Sequence, residues 1–112
     1  MAQTYKVLGQ LVGSGVIGTY GTVYGPVAVS TSAIVSTIVV CNQAATAATF
    51  RLAICTTTTP ATKEFIAYGM TVPANDSITL TLGVTLDATV KYLQASSSAA
   101  TVTFSAFGVE IT

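Results

Sequence analysis

Apolar side chains recur at every second residue along almost the whole chain, and no stretch shows the 3.6-residue recurrence of an amphipathic helix. Val, Ile and Thr fill these runs, as they do in extended segments. Alternation by two sends successive side chains to opposite faces, so such a chain buries its apolar face by stacking sheet on sheet. With 112 residues it can build one core of sandwich size and not two, so residues 1–112 are read as a single domain.

Turn signals divide the chain into about eight strands. Tyr5, Val7 and Leu11 open an N-terminal strand that runs into Gly13, Gly15, Gly18 and Gly21, and a short strand over residues 22–24 ends at Pro26. Residues 32–41 alternate Ile34, Ser36, Ile38 and Val40 with Val35, Thr37, Val39 and Cys41, which predicts a central strand covered on both faces. Residues 49–55 place Phe50, Leu52 and Ile54 inward and Thr49, Arg51 and Ala53 outward. Residues 56–60 read as a loop ending at Pro60, residues 63–68 as a strand, and Pro73-Ala74-Asn75-Asp76 as a tight turn. Ile78, Leu80 and Leu82 then alternate with threonines, and residues 90–95 and 101–111 form the last strands, turned by Ser96, Ser97 and Ser98. In the final strand Val102, Phe104 and Ala106 share one phase while Phe107, Val109 and Ile111 share the other. That switch predicts a β-bulge near Ala106, or a strand that passes between sheets. The expected fold is all-β, a single antiparallel β-sandwich of jelly-roll or immunoglobulin-like topology.

The inventory of reactive groups is short. There is no histidine, and Glu64, Asp76, Asp87 and Glu110 stand apart at expected turns and strand ends, so no carboxylate pair and no nucleophile with a positioned base is evident. No catalytic residue and no cofactor are expected. Two cysteines cannot supply the four ligands of a structural zinc site, so no metal is expected either. If Cys41 and Cys55 end two strands that pair antiparallel, Cys55 lies near Ile34 and roughly 24 Å from Cys41. Bridged Cα atoms lie within about 7 Å. Two buried free thiols are therefore expected, an estimate that fails if the strands belong to different sheets. Gly13-Ser14-Gly15-Val16-Ile17-Gly18 has the spacing of a dinucleotide-binding turn, but no helix follows and no acid stands about 20 residues on, so it reads as a turned loop. Asn75-Asp76-Ser77 fits a glycosylation acceptor and reads as an exposed hairpin turn.

Charge is what the chain lacks: 7% of residues carry one, against roughly 25% in soluble globular domains. Lys6, Arg51, Lys63 and Lys91 are scattered, which leaves no basic patch to neutralise phosphates, so nucleic acid is not an expected partner. The best apolar run, residues 33–41, contains Ser36 and Thr37 and falls short of the about 20 residues of a spanning helix, so neither a membrane span nor a signal segment is expected. A surface made of Ser, Thr, Gly, Ala and apolar groups favours contact with copies of itself or with partner proteins. The interface candidates are Gly13, Gly15, Gly18 and Tyr20 of the glycine-rich loop, Tyr24 beside it, Thr57 and Thr58, Lys63 and Tyr68. Tyr20, Tyr24 and Tyr68 are also the candidates for a sugar-stacking platform.

The phrases Tyr5-Lys6-Val7-Leu8-Gly9-Gln10, Cys41-Asn42-Gln43, Phe65-Ile66-Ala67-Tyr68, Pro73-Ala74-Asn75-Asp76 and Phe107-Gly108-Val109-Glu110-Ile111-Thr112 together resemble small virion structural proteins of tailed bacteriophages, cyanophages included. The likeness extends over nearly the whole chain and implies a non-enzymatic β-sandwich in the virion, on the capsid surface or in the tail, assembled in the host cytoplasm. A capsid cement or decoration protein is the foremost expectation, a homo-oligomer such as a trimer lying over junctions of the major capsid protein. A tail, baseplate or fibre-adaptor subunit comes next. From a different class, a carbohydrate-binding module for host attachment is the third.

Overall fold

The structure, a computed structural model, describes residues 2–112. Nine strand segments follow one another: β1 (Gln3–Val12), β2 (Gly21–Tyr24), β3 (Ser32–Asn42), β4 (Ala48–Cys55), β5 (Phe65–Val72), β6 (Asp76–Leu80), β7 (Val84–Leu86), β8 (Tyr92–Ser97) and β9 (Val102–Ile111). A 3-10 turn over Thr62–Glu64 is the only helical element among the described residues. One sheet has the order β1-β9-β3-β6, with β7 also on β3, and the other has the order β2-β8-β4-β5. All pairings are antiparallel.

Because β6 and β7 pair with successive stretches of β3, they act as one strand interrupted at residues 81–83. Counted so, there are eight strands, and the first pairs with the last, the second with the second-last, and so inward to β4 with β5. A long antiparallel hairpin rolled into two sheets gives this order, and it is a jelly roll. Of the two sandwich topologies the sequence allows, the immunoglobulin-like one is thereby set aside.

The core between the sheets is built from Ala33, Val35, Ile38 and Val40 of β3, Phe50 and Leu52 of β4, Leu93 and Ala95 of β8, and Val102, Phe104 and Ala106 of β9. Phe50 and Phe104 meet edge to face across it, ring centroids 5.9 Å apart. In β3 the inward set differs from simple alternation. Ser36 is the extra residue of a bulge, so Ala33 and Val35 share a face with Ile38 and Val40. The bulge turns the Ser36 hydroxyl out of the core, where it donates to the Phe107 carbonyl at 3.1 Å.

The expected bulge near Ala106 is absent from β9. Its inward phase runs on from Phe104 and Ala106 to Gly108, and the bulges lie in the neighbours, at Leu8 of β1 and Ser36 of β3. Glycine at 108 permits this: a Cβ there would sit 1.9 Å from the Ile34 carbonyl oxygen, so the inward position admits no side chain. Phe107, Val109 and Ile111 consequently face away from the core. Gly9 is constrained in the same way, since its Cβ would lie 1.8 Å from the Val23 carbonyl oxygen of β2.

β8 is buried on both faces. Its outward residues Gln94 and Ser96 are covered by loops, Gln94 Nε2 donating to the Thr58 carbonyl at 2.7 Å and Ser96 Oγ to the Ile17 carbonyl at 2.5 Å. Ser96 and Ser97 therefore belong to a strand, and the turn expected to begin at Ser96 starts at Ser98. Cys41 and Cys55 lie on strands of different sheets, which removes the pairing behind the distance estimate; both thiols are nevertheless free, Cys41 half-buried and Cys55 buried.

Candidate functional site

The phase of β9 turns a row of apolar residues to the outer side of the first sheet. Residues directly opposite one another in an antiparallel pair share a face. The registers therefore set Tyr5 beside Val109, Val7 beside Phe107, and Ile34 beside Val109 on the outer side of the first sheet, with Ile111 in the same row. The remaining residues in this phase are Ser, Thr, Gln, Val and Cys, and none is charged. Tyr5 is 79% exposed and Val7 50%. Four strand columns about 4.8 Å apart and strands of about ten residues give a face on the order of 650 Å². Val12 in the same phase is 63% exposed, Ile34, Phe107 and Ile111 are half-buried and Val109 is buried beneath its neighbours, so one whole sheet face carries none of the chain's few charges.

The nine interface candidates read from the sequence lie elsewhere and do not form one site. Tyr20 and Tyr68 do meet, through two residues the sequence reading left out. Arg51 Nη1 donates to the Tyr20 hydroxyl at 3.1 Å, and its Cζ lies 3.9 Å from the centroid of the Tyr68 ring. Phe65 stands between the tyrosines, 5.8 Å from Tyr20 and 4.9 Å from Tyr68 by ring centroids. The acceptor oxygen of Tyr20 raises the guanidinium pKa further, so the charge is permanent. Phe65 and Arg51 are adjacent to the pattern that names Tyr68, but only the shifted pairing of β4 with β5 shows that they converge.

Thr57, Thr58 and Lys63 belong to the covering loop. Thr57 closes a local turn with Thr59, Thr58 accepts from Gln94, and Lys63 is exposed in the 3-10 turn. Glu64 organises this loop by accepting from the Ala61 and Thr56 amides, and these donors hold its carboxyl below the usual range. Gly13 packs against Ser97 and donates to the Val102 carbonyl at 2.7 Å, Gly15 takes a left-handed turn at φ 80°, and Gly18 faces open space. The stretch is a turned loop that lies over β8.

Tyr24 lies in a separate cleft with Thr22, Pro26 and Glu110. Its hydroxyl donates to Glu110 Oε2, and Lys6 Nζ reaches Glu110 Oε1 at 2.7 Å. Burial and the adjacent carboxylate push the Tyr24 phenol far above its ordinary pKa, while Lys6 and Tyr24 pull Glu110 down. Each of the three groups thus has its partner. Burial pushes the Cys55 thiol up to about 11, with Glu64 adding to it, so this cysteine is a packed, inert group. No cluster of three or more Cys, Asp or Glu among the described residues is placed to hold a metal ion, and no helix is long and apolar enough to cross a membrane.

No protein-family model matches the chain, and no curated protein matches it closely enough to count as a relative.

Proposed function

We infer that the protein is a non-enzymatic structural component of a phage particle, a homo-oligomeric cement or decoration protein that adheres through the outer face of its first sheet. The observation that carries this reading is the charge-free outer face of the first sheet, on which Tyr5, Val7 and Val12 are exposed, Ile34, Phe107 and Ile111 are half-buried, and Val109 lies buried beneath its neighbours. A face on the order of 650 Å² approaches the about 800 Å² that each partner contributes to an ordinary specific interface. Scattered apolar residues need no explanation, but a contiguous row of them on a flat sheet marks a contact.

Two further points support the setting. The jelly roll is an architecture of viral coat domains, a likeness of fold alone. The phrases that resemble tailed-phage virion proteins include the segments that build this plane, Tyr5 to Gln10 and Phe107 to Thr112. Mechanically, a cement protein bridges neighbouring capsid subunits and opposes their separation in proportion to the apolar area it buries.

Mass analysis and imaging of intact particles test the setting. The cement reading expects copies in the hundreds on the shell, whereas a few copies at one vertex would indicate a tail or baseplate subunit. Absence from the particle would end both.

A further inference from the structure

The outer side of the second sheet carries a cation among aromatic rings with no acid to neutralise it. Arg51 is held between the Tyr20 hydroxyl and the Tyr68 ring, and the only ion pair among the described residues is Lys6 with Glu110. Glu64, the acid of the neighbouring turn, already accepts from two backbone amides. Phe65 and Tyr68 stand 88° apart and, with Thr62, bound an open hollow of about 320 Å³.

We propose that this hollow, together with the adjoining Arg51, binds a carboxylate-bearing sugar ring of the uronic or sialic type. Two rings at a right angle offer a floor and a wall to the C–H face of a pyranose, and Thr62, which also lines the hollow, brings a hydroxyl for those of the sugar. The guanidinium supplies the attraction for a carboxylate that a neutral sugar lacks. Ligand sites span about 300–1,000 Å³, so the hollow suits one ring. A peptide added as a strand along β5 is disfavoured, because two register shifts break the β4–β5 ladder and Gly69 turns the edge at φ 77°. The arrangement does not depend on the adhesive role of the first sheet. Since the two outer faces point in opposite directions, a subunit seated by one would present the other.

The isotope-labelled 112-residue chain, titrated with a galacturonic acid trimer, a neutral galactose trimer and an alternating Glu-Gly peptide, tests the site. The acidic sugar is expected to shift resonances of Thr62, Phe65 and Tyr68 and to bind about tenfold more tightly than the neutral one, the scale of one charge-assisted contact. Arg51→Gln should abolish that preference and Arg51→Lys should keep part of it. Tyr68→Ala, at a position 63% exposed and so outside the core, should weaken both sugars about tenfold. Equal affinity for the two sugars, no sugar binding at all, or peptide binding as tight as that of the acidic sugar would overturn the proposal.

Discussion

Asn42 joins three parts of the chain from a position only 1% exposed. Its Nδ2 donates to the Thr46 carbonyl at 2.8 Å and to the Val72 and Pro73 carbonyls at 3.3 Å, while Oδ1 accepts from the Ala44 amide and the Thr101 hydroxyl. Asparagine is suited to this because it presents donors and an acceptor together. Asn42→Ala is expected to lower stability by about 2–4 kcal/mol in denaturant titration, since several buried carbonyls lose their donor. Asn42→Asp should cost more at neutral pH, where a carboxylate cannot donate to carbonyls. Glu110 illustrates the opposite case, a charge with full partners. Its folded-state pKa is depressed by Lys6 and Tyr24, so its contribution is complete above the ordinary glutamate value of about 4.3 and is lost as pH falls through the folded value. Glu110→Gln should be less stable than the wild type by about 1 kcal/mol at neutral pH, and the two stability curves should converge in acid. Comparing the two proteins cancels the contributions of Glu64 and Asp87, whose pKa values are depressed in the same direction by backbone amides.

At the scale of the strand, phase decides what a residue does. Phe104 and Phe107 are three residues apart in one strand and have opposite roles, the first fully buried in the core and the second on the outer plane. Phe104→Ala should therefore cost about 3–5 kcal/mol, while Phe107→Ala should cost the isolated chain less than about 1.5 kcal/mol, both read from thermal or denaturant unfolding. A bulge within β9 would make the two costs alike. Periodicity announces the strands and the inward phase of Phe50, Leu52 and Ile54, the last only half-buried, because those depend on local alternation. It could not say where the extra residue falls. A phase conflict between 106 and 107 is equally relieved by a bulge in β9 or by bulges in both neighbours, and the choice rests on the clash that a side chain at Gly108 would make with β3. Ser96 and Ser97 look like turn residues in the sequence for a related reason, since they are buried by the distant glycine-rich loop, Ser96 under the Ile17 carbonyl and Ser97 against Gly13. Among the site residues, Tyr20 and Tyr68 were legible as large polar-tipped rings, whereas Arg51 read only as an outward cation on a half-buried strand.

The whole molecule is a slab with extents of 45 × 26 × 18 Å whose two broad sides differ in kind. On one side loops cross the sheet, tied down by Gln94 and Ser96, and an arginine stands among tyrosines. The other is an uncharged sheet face edged by β1, a ten-residue strand with an open side. Edge strands of that length invite pairing unless something blunts them, and here the bulge at Leu8 and the charge of Lys6 do so along the edge while leaving the face itself open. The adhesion we propose is thereby directed to the face. Sedimentation velocity on the purified chain, wild type beside Val7→Lys, tests this most directly, because Val7 is half exposed on the plane and a lysine there does not reach the core. The wild type is expected to form an assembly larger than the 11.4 kDa monomer, and the variant to return to the monomer while still unfolding in one cooperative transition, at a temperature that no longer depends on concentration. A wild type that stays monomeric as its concentration is raised, or an assembly indifferent to the lysine, would contradict the account.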